Sequence, residues 1–155
     1  MLAREVHTAS PAETEALAER FGRTAEGGEV LGLEGELGAG KTCFVRGLAR
    51  GLGIDPDLVA SPTFVIATEY RGGRLPLHHV DLYRLEPPLR DGLFLREVLY
   101  GAGVAAVEWF DRLLPAAGDD ALRVTLRYAD GDGRAIRLAA HGARHEAWLR
   151  RTLGT

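Results

Sequence analysis

The chain has 155 residues, 46% hydrophobic and 26% charged, with a formal net charge of −3. This suits one compact domain with a sizeable core, and the acidic balance offers no overall basic footprint for tight, autonomous nucleic-acid binding. No run approaches the roughly 20 apolar residues of a membrane span, Met1-Leu2-Ala3-Arg4-Glu5 lacks an apolar signal core, and the lone Cys43 excludes an internal disulfide or a multi-cysteine zinc site, so a cytoplasmic protein with no membrane partner is expected.

Residues 5–8 read as a first strand. Ser10-Pro11-Ala12-Glu13 then carries a helix start: a Ser cap, Pro at the first helical position and an acid three residues after the cap. Residues 11–21 place Ala12, Ala16, Leu17 and Phe21 at helical spacing. The apolar run Val30-Leu31-Gly32-Leu33-Glu34 predicts a buried strand, residues 41–50 predict a helix, and Gly53 with Pro56 marks a turn. Residues 63–70 and 75–81 predict an antiparallel pair around Arg71-Gly72-Gly73-Arg74. A helix over 89–99, a buried strand over 104–108 and at most a short helix over 111–114 follow. Residues 123–128 and 134–139 flank Asp130-Gly131-Asp132-Gly133 as a second hairpin, and 146–153 predict a closing helix. With no repeat and no long linker, the expectation is a single domain over 1–155. Its fold class is α/β: a mixed sheet flanked by helices on both faces, with a ligand at the carboxyl ends of its strands.

Between the strand at 30–34 and the helix at 41–50 lies Gly35-Glu36-Leu37-Gly38-Ala39-Gly40-Lys41-Thr42, a complete G-x-x-x-x-G-K-[ST] phosphate-binding loop. Its glycines let the backbone curl inward, and the helix start turns unpaired N–H groups and a positive dipole end toward phosphate. Lys41 is the only lysine in the chain. Where arginine serves every other cationic position, a surviving lysine points to a place that guanidinium cannot fill, such as the gap between β- and γ-phosphates. Glu36, Gly38, Ala39, Gly40, Lys41, Thr42 and Cys43 form the expected nucleotide-binding stretch, with the Thr42 hydroxyl on Mg²⁺ and the Cys43 side chain as small packing.

Such a loop needs an acid to organise Mg²⁺, usually at the end of an apolar strand. Two strands end so: Leu77-His78-His79-Val80-Asp81 and Val104-Ala105-Ala106-Val107-Glu108. His79 and Asp81 share a strand face, whereas adjacent His78 and His79 point oppositely, which disfavours a zinc site. Spacing alone leaves open whether each acid serves the metal or caps its strand and pairs with an arginine. The sequence contains no asparagine and no glutamine, so an Asn-Lys-x-Asp guanine-recognition element cannot exist, nor the Gln that orients water in many GTPases. Adenine can be held by stacking, and Trp109 is either that platform or an ordinary core or surface tryptophan.

Glu13-Thr14, the loop at 35–42, Ser61-Pro62-Thr63-Phe64, His79-Val80-Asp81-Leu82-Tyr83-Arg84 and Glu108-Trp109 follow the order seen in one family. Over residues 5–128 the chain closely resembles the ATPase subunit of bacterial tRNA threonylcarbamoyladenosine biosynthesis, the TsaE or YjeE family. The resemblance implies a P-loop NTPase-like domain, ATP and Mg²⁺ as cofactors, ATP hydrolysis, and two partners: the paralogous subunits of the bacterial threonylcarbamoyl transferase complex. Those partners modify the adenosine next to the anticodon of ANN-decoding tRNAs, so tRNA is met indirectly, through the complex.

It also implies residue roles. Lys41 neutralises the β- and γ-phosphates, Thr42 and Asp81 serve Mg²⁺, and Glu108 is the catalytic or water-positioning carboxylate, also near the metal. Thr63 lies in a switch-like stretch near the γ-phosphate, Trp109 neighbours adenine, and Thr8 and Thr14 close the base side. Cys43 departs from the usual second hydroxyl residue and Phe110 from the proline that commonly follows Glu-Trp. From His141 onward the family offers no counterpart, leaving Trp148, Arg150 and Arg151 as helix residues or a partner patch. Two other classes own such a loop: a small metabolite kinase, which would need a lid for which the hairpins leave little room, and a non-catalytic nucleotide-gated binding module.

Overall fold

Ser10 starts the first helix as its residue type requires. Its hydroxyl accepts the Glu13 N–H at 3.2 Å, and the Glu13 carboxylate reaches back to the Ala9 N–H, a close variant of the reciprocal cap. The structure, a computed structural model, describes residues 1–36, 40–59, 67–81, 101–108 and 120–154. In chain order these form β1 (Leu2–Thr8), α1 (Pro11–Thr24), β2 (Val30–Gly35), α2 (Lys41–Gly51), a one-turn 3-10 helix (Pro56–Leu58), β3 (Ala67–Tyr70), β4 (Leu77–Asp81), β5 (Val104–Glu108), β6 (Ala121–Tyr128), β7 (Arg134–His141) and α3 (Ala143–Leu153). The helices expected over 89–99 and 111–114 lie outside the described residues.

The strands form one mixed sheet in the order β1-β7-β6-β2-β5-β4-β3. Its heart, β6-β2-β5-β4, is parallel, with β7 and β1 added antiparallel at one side and β3 at the other. Both expected hairpins form, β3 with β4 and β6 with β7. Every residue of β5 is buried, as a strand covered on both faces requires. Pairing from Leu2↔Ala140 to Thr8↔Arg134 extends β1 three residues earlier than its composition suggested.

Alternate residues of the central strands, including Leu31, Leu33, Val104, Ala106, Leu122 and Val124, join one core with α1, α2 and α3. The described helices thus share one face of the sheet. The buried face of α1 is Thr14, Leu17, Ala18, Phe21 and Gly22, while Ala12 and Ala16 are exposed. The inward stripe is therefore rotated from the expected one, because three glycines set the helix contact. A Cβ on Gly22, Gly47 or Gly51 would overlap the carbonyl oxygen of Leu48, Glu15 or Glu19 respectively, so α1 and α2 meet backbone to backbone.

Trp148 belongs to this core. It is fully buried, donates its indole N–H to the Phe21 carbonyl at 3.0 Å and packs edge-on against the Phe21 ring. Arg151 donates to the Thr24 carbonyl and pairs with Glu29, so α3 is a packed closing helix held by these contacts.

His145 anchors α3 to the sheet. Its Nε2 accepts the Val30 N–H at 2.9 Å, so Nδ1 carries the proton and faces Asp120 at 2.8 Å and the His141 carbonyl at 3.1 Å. Burial pushes its pKa below the ordinary value, against the upward pull of Asp120. The unfolded chain, whose imidazole titrates near pH 6.5, therefore takes up a proton that the folded chain refuses. This contribution to stability is complete above about pH 6.5 and is lost as pH falls toward the folded pKa. Urea midpoints should drop between pH 7.5 and 5.5 in the natural chain and drop less in His145→Gln. Equal drops would contradict the assignment.

Candidate active site

The phosphate-binding loop leaves β2 at Gly35 and enters α2 through Gly40, whose φ of 107° is left-handed. Among the described residues a Cβ at Gly40 would meet the Leu126 side chain at 3.8 Å, and the left-handed backbone angle itself demands glycine here. The N-cap residue Gly40 offers no side-chain cap to α2, and a helix start of this kind directs N–H groups and a positive dipole end toward an anion. Lys41 is buried, with Nζ donating to the Gly35 carbonyl at 2.9 Å. The ammonium is thus held across the mouth of its own loop. Thr42 is half-buried beside it and Glu36 is exposed, while Gly38 and Ala39 lie outside the described residues.

Parallel pairing brings the acids to this loop. Leu33 of β2 is in register with Glu108 of β5, and Glu108 with Asp81 of β4. The two carboxylates therefore stand side by side at the carboxyl ends of neighbouring strands, with Glu108 one strand from the loop and Asp81 two. His79 shares their face, and its Nε2 lies 2.6 Å from Oε2 of Glu108, both side chains being buried. Sequence reading placed His79 beside Asp81 on one strand and did not foresee this cross-strand pair. A hydroxyl and two carboxylates are hard oxygen donors, a set that suits Mg²⁺. Among the described residues, no group of three or more His, Cys, Asp or Glu side chains is placed to hold a metal ion.

On the other side of the loop, Cys43 donates its S–H to the Pro11 carbonyl at 3.2 Å, tying the first turns of α1 and α2 together. Burial, reinforced by Glu15, raises its pKa, as for a packing thiol rather than a reactive one. Thr8 and Thr14, both buried, share a hydrogen bond of 2.7 Å, and Thr8 is the register mate of Arg134. Arg134 stands 4.7 Å over the Tyr128 ring and its charge reaches Cys43. The sequence did not single out this arginine, since its place beside Thr8 depends on the β1–β7 pairing. Thr63 and Trp109 lie outside the described residues.

Residues 8–136 match the family of Threonylcarbamoyl adenosine biosynthesis protein TsaE. The chain belongs to this family. A TsaE protein of tRNA threonylcarbamoyladenosine biosynthesis from Bacillus subtilis is 45% identical over 139 residues, covering 90% of this chain and 87% of its own. A Nostoc relative of the same description is 43% identical over 120 residues, covering 74% and 72%. The crystal structure of Bacillus subtilis YdiB superposes with a TM-score of 0.82 at 36% identity, spanning 97% of this chain and 94% of that one. The family and the superposition together give the P-loop NTPase-like α/β fold. No helix among the described residues is long and apolar enough to cross a membrane.

Proposed function

We propose that the chain acts as one nucleotide-binding domain over residues 1–155, binding ATP with Mg²⁺ and hydrolysing it for the threonylcarbamoyl modification of tRNA. The observation that carries this reading is the buried Lys41 at the start of α2, one strand from a buried Glu108 whose register mate is Asp81. It works in the cytoplasm beside the two paralogous transferase subunits and meets tRNA through them.

The chemistry follows from the residues. The loop backbone from Glu36 through Cys43 cradles the phosphates, and Lys41 exchanges the Gly35 carbonyl for β- and γ-phosphate oxygens. Thr42 and Asp81 would be the oxygen donors for Mg²⁺, with Glu108 near it, and the ion when bound would offset charge on the phosphates. Glu108 orients the attacking water: the water's oxygen bonds to the γ-phosphorus as the bond from that phosphorus to the β–γ bridging oxygen breaks, leaving ADP and inorganic phosphate, with the water's proton passing to Glu108 or the phosphate. Thr63 lies against the γ-phosphate, Trp109 against adenine, and Thr8 with Thr14 closes the base side.

A kinase or a purely nucleotide-gated module would carry the same loop and an acid beside it, so the fate of the γ-phosphate separates the readings. With no asparagine or glutamine to read guanine, the site should prefer adenine nucleotides. In competition binding ATP should displace a labelled nucleotide at lower concentration than GTP, and turnover should release free phosphate rather than transfer it to nucleosides. GTP binding as tightly as ATP would count against the base assignment, and phosphoryl transfer against hydrolysis.

A further inference from the structure

His79 is fully buried, and the reading above gives it no task. Its side chain runs diagonally between strands: Glu108 is opposite Asp81, two residues further along β4, a separation that long side chains can bridge. An ionised carboxylate only accepts hydrogen bonds, so the 2.6 Å contact requires the ring to donate from Nε2. Nδ1 has no partner among the described residues. Nε2 is therefore the proton-bearing nitrogen that faces Glu108. At His145 the roles are reversed, and Nε2 accepts.

We infer that His79 is a positioning residue for ATP hydrolysis: its Nε2–H fixes Oε2 of Glu108 and leaves Oε1 turned to the reacting water. The inference rests on the role proposed for Glu108. A glutamate side chain has several rotatable bonds, and one buried hydrogen bond to a rigid ring holds it in a single orientation before the nucleotide arrives. Such preorganisation acts on turnover rather than on ground-state affinity.

The test has a spectroscopic arm and a kinetic arm. In the full chain labelled with ¹⁵N-histidine, the signal lost in His79→Gln should show a protonated Nε2 whose proton exchanges slowly with water. A bare Nε2 overturns the inference. In the complex with its partner subunits, His79→Leu should lower kcat by about 10- to 100-fold with ATP affinity unchanged, and His79→Gln, whose amide can donate to the same oxygen, should restore most of the rate. If His79→Leu does not fold, the ¹⁵N spectrum and the Gln variant decide. A folded Gln variant as slow as Glu108→Gln overturns the inference, as does natural kcat in a folded Leu variant. Glu108→Gln separates the two levels: full turnover there removes the role of Glu108 itself, whereas an inactive Glu108→Gln beside a fully active His79→Leu removes only that of His79.

Discussion

Lys41→Ala should abolish phosphate release, by at least about 10²- to 10³-fold, the loss that follows removal of a single charge-stabilising donor at a reacting centre. No other ammonium exists in the chain to replace it apart from the N-terminus, and Met1 pairs with Glu146 on α3 instead. The fold should survive, since the described hydrogen bond that the change removes, from the ammonium to the Gly35 carbonyl, is worth only about 1.5–3 kcal/mol. Thermal melting and phosphate release measured on the same sample separate the two effects. Unchanged turnover in a folded Lys41→Ala protein would end the phosphate-loop reading.

The second large effect is expected at Glu108. Glu108→Ala should keep ATP affinity and lose turnover, as when an interaction matters mainly in the transition state. Asp81→Ala, one strand further from the loop, should instead weaken Mg²⁺-dependent binding and lower hydrolysis with it. Titration of a fluorescent ATP analogue with and without Mg²⁺, beside single-turnover hydrolysis, distinguishes these patterns. Near-normal partner-stimulated turnover in Glu108→Ala would refute its catalytic role, and lost ATP binding there would make the carboxylate a ground-state ligand.

Local patterns were legible in the sequence because they are properties of neighbouring residues. The Ser10 cap, the helix start at Gly40-Lys41-Thr42, and the strand of the apolar run Val104-Ala105-Ala106-Val107 ending in Glu108 each formed where expected. What depends on pairing distant segments was not legible. The His79–Glu108 contact joins residues 29 apart through the β4–β5 register, and Arg134 stands beside Thr8 because β7 lies against β1. The inward face of α1 was misread because apolarity favoured Ala12 and Ala16, whereas the glycines of the α1–α2 contact decide the rotation. For Trp148, helical spacing could not choose between core and partner patch. Its hydrogen bond to the Phe21 carbonyl does.

The central claim is that this site couples ATP hydrolysis to threonylcarbamoyl modification of tRNA, and reconstitution tests it most directly. The chain, its two partner subunits, ATP, Mg²⁺, the threonylcarbamoyl donor and an ANN-decoding tRNA would be combined, and phosphate release and modified tRNA followed together over several turnovers. Phosphate release should require the partners, and Lys41→Ala should stop both phosphate release and sustained modification. Multiple-turnover modification at the natural rate with Lys41→Ala would contradict the account.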